Sequence, residues 1–186
     1  MKILDMTIGK KFPPIVIAEI SGNHNQSLTK AIALLKKIKK TGVKFVKIQT
    51  YTPDTITLNS SRKEFIINKN HNLWGGKKLY DLYKKAHTPW KWHHKIFEVA
   101  RKLDLICFSS PFDETAVDFL EDLNVPLYKV ASFEITHIPL IKRIAKTKKP
   151  VIMSTGMATK EEIKNAINTL KNNGCKNYAL LKCTST

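Results

Sequence analysis

Residues 151–186, VIMSTGMATKEEIKNAINTLKNNGCKNYALLKCTST, decide the fold. The segment opens on a short apolar run, VIMSTG (151–156), that turns polar at Ser154 and Thr155. A helix pattern follows over 158–174, with Thr159 and Glu162 at capping-box spacing and Ile163, Ala166, Ile167 and Leu170 forming one stripe. A second apolar run, Tyr178 to Leu181, then gives way to Lys182, Thr184 and Ser185. Strand, helix and strand in this order form a βαβ unit, whose strands lie parallel in one sheet.

The same alternation runs upstream. IVIAEI (15–20), FVKIQT (45–50), LICFSSP (105–111) and LYKVASFE (127–134) read as buried strands. Helix patterns fill 27–42, 89–104, 113–124 and 137–149, with Gly42 suited to a helix end and Asp113 to an N-cap. Six repeats fit either an open doubly wound sheet or a TIM (β/α)8 barrel. No Gly-rich phosphate loop follows any strand, which disfavours the nucleotide-binding open sheets. Polar side chains end every strand, which is how barrel active sites are built. The expected fold is therefore α/β, an incomplete TIM barrel of about six βα units in one domain spanning 1–186. The long connection 50–88 holds Trp74, Tyr80 and Tyr83 and reads as an ordered lid or substrate loop, with a short helix at LYDLYKK.

Hydrophobic content of 42% and charged content of 25% are those of a soluble globular chain. No apolar run is long enough for a signal peptide or a membrane span, and Cys107, Cys175 and Cys183 show no pairing or zinc spacing. A cytoplasmic protein with reduced thiols is expected. The net charge of +17 comes almost wholly from lysine, the arginines being Arg62, Arg101 and Arg143. Arginine is preferred for forked phosphate and base contacts, so a solvated lysine surface is favoured over a nucleic-acid site.

Three lysines interrupt apolar strands: Lys47, Lys129 and Lys182. A buried lysine is costly unless it meets an anion or loses its proton. The first case is a clamp for phosphate or carboxylate, the second a Schiff base with a carbonyl substrate. The hydroxyls of Ser110, Ser132, Ser154 and Thr184 or Ser185 on the same rim favour a small, highly charged anion. Glu19 and Glu134 also end strands and could move a proton, orient water or pair with a lysine. Lys129 and Ser132 have opposite parity, so one site can hold both only if the strand bends. His24 follows the first strand and could line the site. His93 and His94 point apart on a helix, with exposure the expectation for both, and His71, His87 and His137 carry no distinguishing signal. No metal-ligand set is found in the sequence.

IAEISGNHNQSLTKA, VKIQTYTPDTIT, CFSSPF, YKVASFE, VIMSTGMAT and LLKCTST together resemble the sialic acid synthase family, the phosphoenolpyruvate-dependent synthases of nine-carbon sugar acids. TYTPDTITLNS and LWGGKKLYDLYKKAHTPWKWH (73–93) resemble the pseudaminic acid branch more than the N-acetylneuraminate or legionaminate branches. The resemblance implies condensation of phosphoenolpyruvate with an open-chain 2,4-diacetamido-2,4,6-trideoxy-altrose, releasing phosphate. It implies that Lys47, Ser110, Lys129, Ser132, Ser154, Thr184 and Ser185 hold phosphoenolpyruvate, that Glu19, Lys47 and Glu134 serve the reacting centre, and that Gln49 and Tyr51 handle the sugar. Full-length members of the family use a divalent metal, Mn2+ or Mg2+, carried by histidines on two further strands. They also bear a C-terminal antifreeze-like (SAF) domain that helps close the partner's site in a homodimer. None of these parts lies within 1–186, so the expectation is a chain inactive alone, to be completed by those parts or by a complementing C-terminal chain. A Schiff-base aldolase using Lys129 or Lys182, and a non-enzymatic polyanion-binding protein, are the competing readings.

Overall fold

A computed structural model describes residues 2–3, 6–71 and 73–183. A two-stranded antiparallel hairpin, β1 (Lys2–Ile3) and β2 (Met6–Thr7), comes first and has no signal in the sequence pattern. The repeats follow in chain order: β3 (Ile17–Glu19), α1 (Leu28–Lys40), β4 (Phe45–Thr50), and in the long connection α2 (Pro53–Ile56), a 3₁₀ turn (Lys63–Phe65) and α3 (Leu79–Ala86). Next come α4 (Trp90–Lys102), β5 (Ile106–Pro111), α5 (Glu114–Asp122), β6 (Tyr128–Val130), a second 3₁₀ turn (Phe133–Thr136), α6 (Ile138–Lys146), β7 (Val151–Ser154), α7 (Lys160–Asn172) and β8 (Tyr178–Leu181).

β3 to β8 form one six-stranded parallel sheet in sequential order, curled into a half-barrel with helices on its convex side. The strand period of two divides the core. Val46 and Ile48 face the helices and pack with Leu35, Ile96, Val117, Leu120, Ile141 and Leu170 among others. Phe45, Phe108, Leu127 and Ile152 face the concave side, where Ile3 of the hairpin covers the lower end of the half-barrel. The helix starts follow the caps: Ser27 accepts from Lys30 N–H, Asp113 from Thr115 N–H, and Thr159 with Glu162 closes a reciprocal capping box. His137 Nδ1 caps α6 by accepting from Leu140 N–H at 3.0 Å, a role the sequence did not mark.

The fourth of the six strands is shorter than expected. β6 stops at Val130, Ser132 takes α-helical backbone angles, and Glu134 lies in the 3₁₀ turn. This bend lets Lys129 and Ser132 face the same rim despite their opposite parity in an extended strand. The first strand is likewise shorter, Ile17–Glu19 against the expected 15–20. The connection 50–88 is ordered around α2 and α3, with LYDLYKK helical. No described helix is long and apolar enough to cross a membrane.

Candidate active site

The parallel register sets the polar side chains of the concave face in rows. Glu19 pairs with Lys47 and Gln49 with Ser110, and Ser154 lies one strand beyond Lys129, on β7. Lys47 forms an ion pair with Glu19, and its Nζ donates to Ser110 Oγ at 3.4 Å. Lys129, 8% exposed, donates through Nζ to Ser154 Oγ and to the Val130 carbonyl, each at 2.6 Å. Burial, and then the charge of Lys47, lower the Lys129 ammonium to about 8. Ser110 and Ser154 are buried beside these lysines. Their hydroxyls replace some of the lost water but carry no charge, and of the two cations on this rim Lys47 has a direct ion pair, with Glu19, while Glu19 and Glu134 act on Lys129 without a direct ion pair among the described residues. Such a concentration of positive charge suits a small polyanion.

Ser132 reaches the rim from the turn after β6, 3.5 Å from Cys183 Sγ. Hydroxyls of Ser154 and Ser132 hold the Cys183 thiol below its ordinary range. Gly156, at φ +38°, lies against Ser132: a Cβ there would sit 2.5 Å from Ser132 Cβ and 2.7 Å from its Oγ. Gly156→Ala is expected to displace Ser132, cost roughly 1–3 kcal/mol in stability and weaken phosphate binding about tenfold. Thermal melts and phosphate titration check this, and unchanged phosphate affinity would remove Ser132 from the anion site.

A cleft of about 400 Å3 adjoins this rim, lined by Gln49, Tyr51, Ile56, Tyr83, Phe112 and Glu134 among others. Tyr51 is 5.8 Å from Tyr83 and 5.2 Å from Phe112, both edge to face. Glu134 Oε2 is buried without a hydrogen-bond partner, and burial raises its carboxyl above the usual range. Tyr83 is also raised, first by burial and then by Glu134. A carboxyl that keeps its proton easily and has a free oxygen can exchange a proton with a ligand or hold its hydroxyl. At the rim, Ser21 donates from its hydroxyl to Gln49 Oε1 (3.2 Å) and from its N–H to Glu19 Oε1 (3.0 Å). The Gln49 carboxamide oxygen is thereby turned toward Ser21.

Of the residues expected at the site, Glu19, Lys47, Gln49, Tyr51, Ser110, Lys129, Ser132, Glu134 and Ser154 lie on this rim and cleft. Lys182 does not: it follows the end of β8 and is exposed. Thr184 and Ser185 lie outside the described residues. His24 is buried behind the rim against Trp92 and Thr88. His93 is fully buried, contrary to the expected exposure, because Thr50, itself bonded to the Ser109 hydroxyl, meets its Nε2 on the helix-facing side of the sheet. His94 is exposed. Ser21, Tyr83 and Gly156 were not singled out for the site. The first and last lie two residues beyond the ends of β3 and β7, and Tyr83 was noted only as part of the lid. Among the described residues no group of three or more His, Cys, Asp or Glu side chains could hold a metal. Glu134 shares a pocket with Asp113 and His137, but His137 Nδ1 is taken by the Leu140 N–H, and with no three-ligand group the described residues do not by themselves fit a divalent-metal site.

The chain is 50% identical over 173 residues to the pseudaminic acid synthase of Helicobacter pylori, covering 93% of this chain and 50% of that protein. It is 45% identical over 186 residues to the pseudaminic acid synthase of Campylobacter jejuni, covering 100% of this chain and 53% of that one. The crystal structure of N-acetylneuraminic acid (sialic acid) synthetase from Leptospira borgpetersenii superposes with a TM-score of 0.84 at 25% identity, covering 100% of this chain and 59% of that one. The chain thus spans about half the length of the curated relatives it matches. The model of the NeuB family matches residues 34–186, which include every rim residue above except Glu19 and Ser21, and the chain belongs to that family.

Proposed function

We propose that this chain supplies the phosphoenolpyruvate-binding part of a nonulosonic acid synthase of the pseudaminic acid type. The observation that carries the reading is the meeting of Lys47 and Lys129 with Ser110 and Ser154 on one concave rim. Phosphoenolpyruvate carries a phosphate and a carboxylate, and two fixed ammonium groups with neutral hydroxyl donors match that charge. In the proposed reaction, carbon three of phosphoenolpyruvate bonds to the aldehyde carbon of an open-chain amino sugar. Water adds at carbon two, and the carbon–oxygen bond to phosphate breaks, so sugar, phosphoenolpyruvate and water become nonulosonic acid and phosphate.

Lys47, Lys129, Ser110, Ser132 and Ser154 hold the two anionic groups, with Thr184 and Ser185 assigned to the same task. Glu19 holds Lys47 in place through its ion pair. Glu134 faces the cleft and orients the sugar or the attacking water, while Gln49 and Tyr51 line the sugar's side. A divalent metal belongs to the reading through the family resemblance, but no step is assigned to it here because the described residues offer it no ligand set.

Calorimetric titration of this chain with phosphoenolpyruvate, against pyruvate and inorganic phosphate separately, tests the proposal. Binding of phosphoenolpyruvate at least about tenfold tighter than either fragment is expected, because both anionic groups are held. Equal affinity for all three would sink it. The low Lys129 ammonium favours a second reading, a Schiff-base aldolase. At about 8, Lys129 is still mostly ammonium at neutral pH, which keeps the anion clamp ahead. Borohydride trapping of a pyruvate adduct on Lys129 is the result that would reverse the order of the two readings.

A further inference from the structure

We propose that Gln26 is a positioning residue which, as a long-range C-cap of α3, sets Tyr83 against Tyr51 and Glu134 in the cleft. Helix α3 has eight residues, Leu79–Ala86, a length that is marginal in isolation. The last carbonyls of any helix lack partners within it. Here they are met from another part of the chain: Gln26 Nε2 donates to the Lys85 carbonyl at 2.8 Å and to the His87 carbonyl at 2.7 Å. The two protons of one side-chain amide are both used, one on the carbonyl of Lys85 in the last turn and one on that of His87, the residue that follows the helix.

The loop after β3 is shaped for this contact. Ser21, Asn25 and Gln26 all have left-handed backbone angles, at φ +46°, +48° and +53°. Such conformations are costly away from glycine and persist where the surroundings fix them. A Cβ on Gly22 would lie 3.0 Å from the Ala86 carbonyl oxygen, so the backbones of loop and helix approach closely. A second tie lies beside the first. His24 Nδ1 accepts from Gln26 N–H at 3.2 Å, which leaves Nε2 to donate to Thr88 Oγ1 at 3.1 Å. At its other end the loop carries Ser21, bonded to Glu19 and Gln49. One short loop therefore fixes both banks of the cleft: the strand ends through Ser21 and the aromatic bank through Gln26.

The role rests on the cleft being the sugar side of a synthase, but its test does not. Three readouts on this chain are compared between the native protein and Gln26→Met, which keeps the length of the side chain and removes both donors. These are the carboxyl titration of Glu134, the ring contacts between Tyr83 and Tyr51, and amide exchange near the end of α3. Gln26→Ala is the second variant; Gln26 is exposed, so neither substitution empties the core. The Glu134 titration is expected to fall toward the ordinary carboxylate range as α3 loosens and water enters. The Tyr83–Tyr51 contacts should weaken, and the His87 amide, bonded to the Tyr83 carbonyl, should exchange about tenfold faster or more. Unchanged Glu134 titration and ring contacts in both variants would overturn the proposal, even if the melting temperature fell. Phosphoenolpyruvate affinity is measured alongside and should stay within about twofold. Failure of the native chain to bind it sinks the synthase reading and leaves the role of Gln26 as these readouts find it.

Discussion

Lys129→Met is expected to weaken phosphoenolpyruvate binding by at least about 100-fold and to leave the fold at neutral pH as stable as before, or more so. The two effects have one cause. The Lys129 ammonium is buried beside a second cation; its hydrogen bonds go to a hydroxyl and a carbonyl, and Cys183, Glu19 and Glu134 offset only part of the cost. Its pKa of about 8 against an unfolded value near 10.5 means that folding disfavours the charged form. As pH falls from about 10.5 to about 8 the unfolded chain takes up the proton first, so stability drops across that window and stays lower below it. The penalty is on the order of 3 kcal/mol. Methionine keeps most of the stem and removes the charge, at the expense of two hydrogen bonds.

Phosphoenolpyruvate would offset the same penalty by supplying the missing counter-charge. Binding should therefore raise the Lys129 pKa and take up a proton above about pH 8, with affinity declining as pH rises further. Calorimetry in buffers of different ionisation enthalpy, together with denaturant melts of both proteins, checks both halves. Native-like affinity in the variant would remove Lys129 from the anion site. Strong destabilisation in the variant would mean that its hydrogen bonds outweigh its charge.

Most of this arrangement was legible before any coordinates. Each strand is a short apolar run, and three of the helices start at visible caps, signals that are local: Ser27, Asp113 and Thr159 each start a helix where expected. The rim lysines were legible because a charge inside an apolar strand is conspicuous. The misses have different physical origins. The early end of β6 depends on the turn that carries Ser132 and Glu134, and a polar strand end and a polar turn look alike in sequence. Lys182 shares its neighbours' composition, but β8 ends one residue before it. Gln26 and Tyr83 are separated by 56 positions' worth of other structure, so their connection through the carbonyls of α3 has no local signal. His93 was misjudged because charge-bearing residues on helices usually face water. Its burial depends on hydroxyls from Thr50 on β4 and Ser109 on β5, which only the register brings together.

That buried histidine should make the chain acid-labile. His93 Nδ1 lies 3.3 Å from the Pro89 carbonyl, which can only accept, so Nδ1 carries the proton and Nε2 accepts from the Thr50 hydroxyl at 2.9 Å. Protonating Nε2 would place a charge in a buried site and force the Thr50 hydroxyl to turn from donor to acceptor. Burial accordingly lowers His93 to about 4, against about 6.5 when unfolded. Between these values the unfolded state binds the extra proton, so stability present above about pH 6.5 is lost as pH falls toward 4, on the order of 3 kcal/mol in all. His24, lowered by burial and then by His87, acts in the same direction. Thr50 and Ser109 alternate with Gln49 and Ser110 along their strands, so loosening the buried hydroxyls disturbs the neighbours that line the site. Denaturant melts between pH 7 and 4 should give a slope near one proton for the native chain and a flatter one for His93→Asn. The variant should be weaker at pH 7 and closer to the native chain at pH 4.5. Parallel slopes would show that other groups, not His93, govern the acid transition.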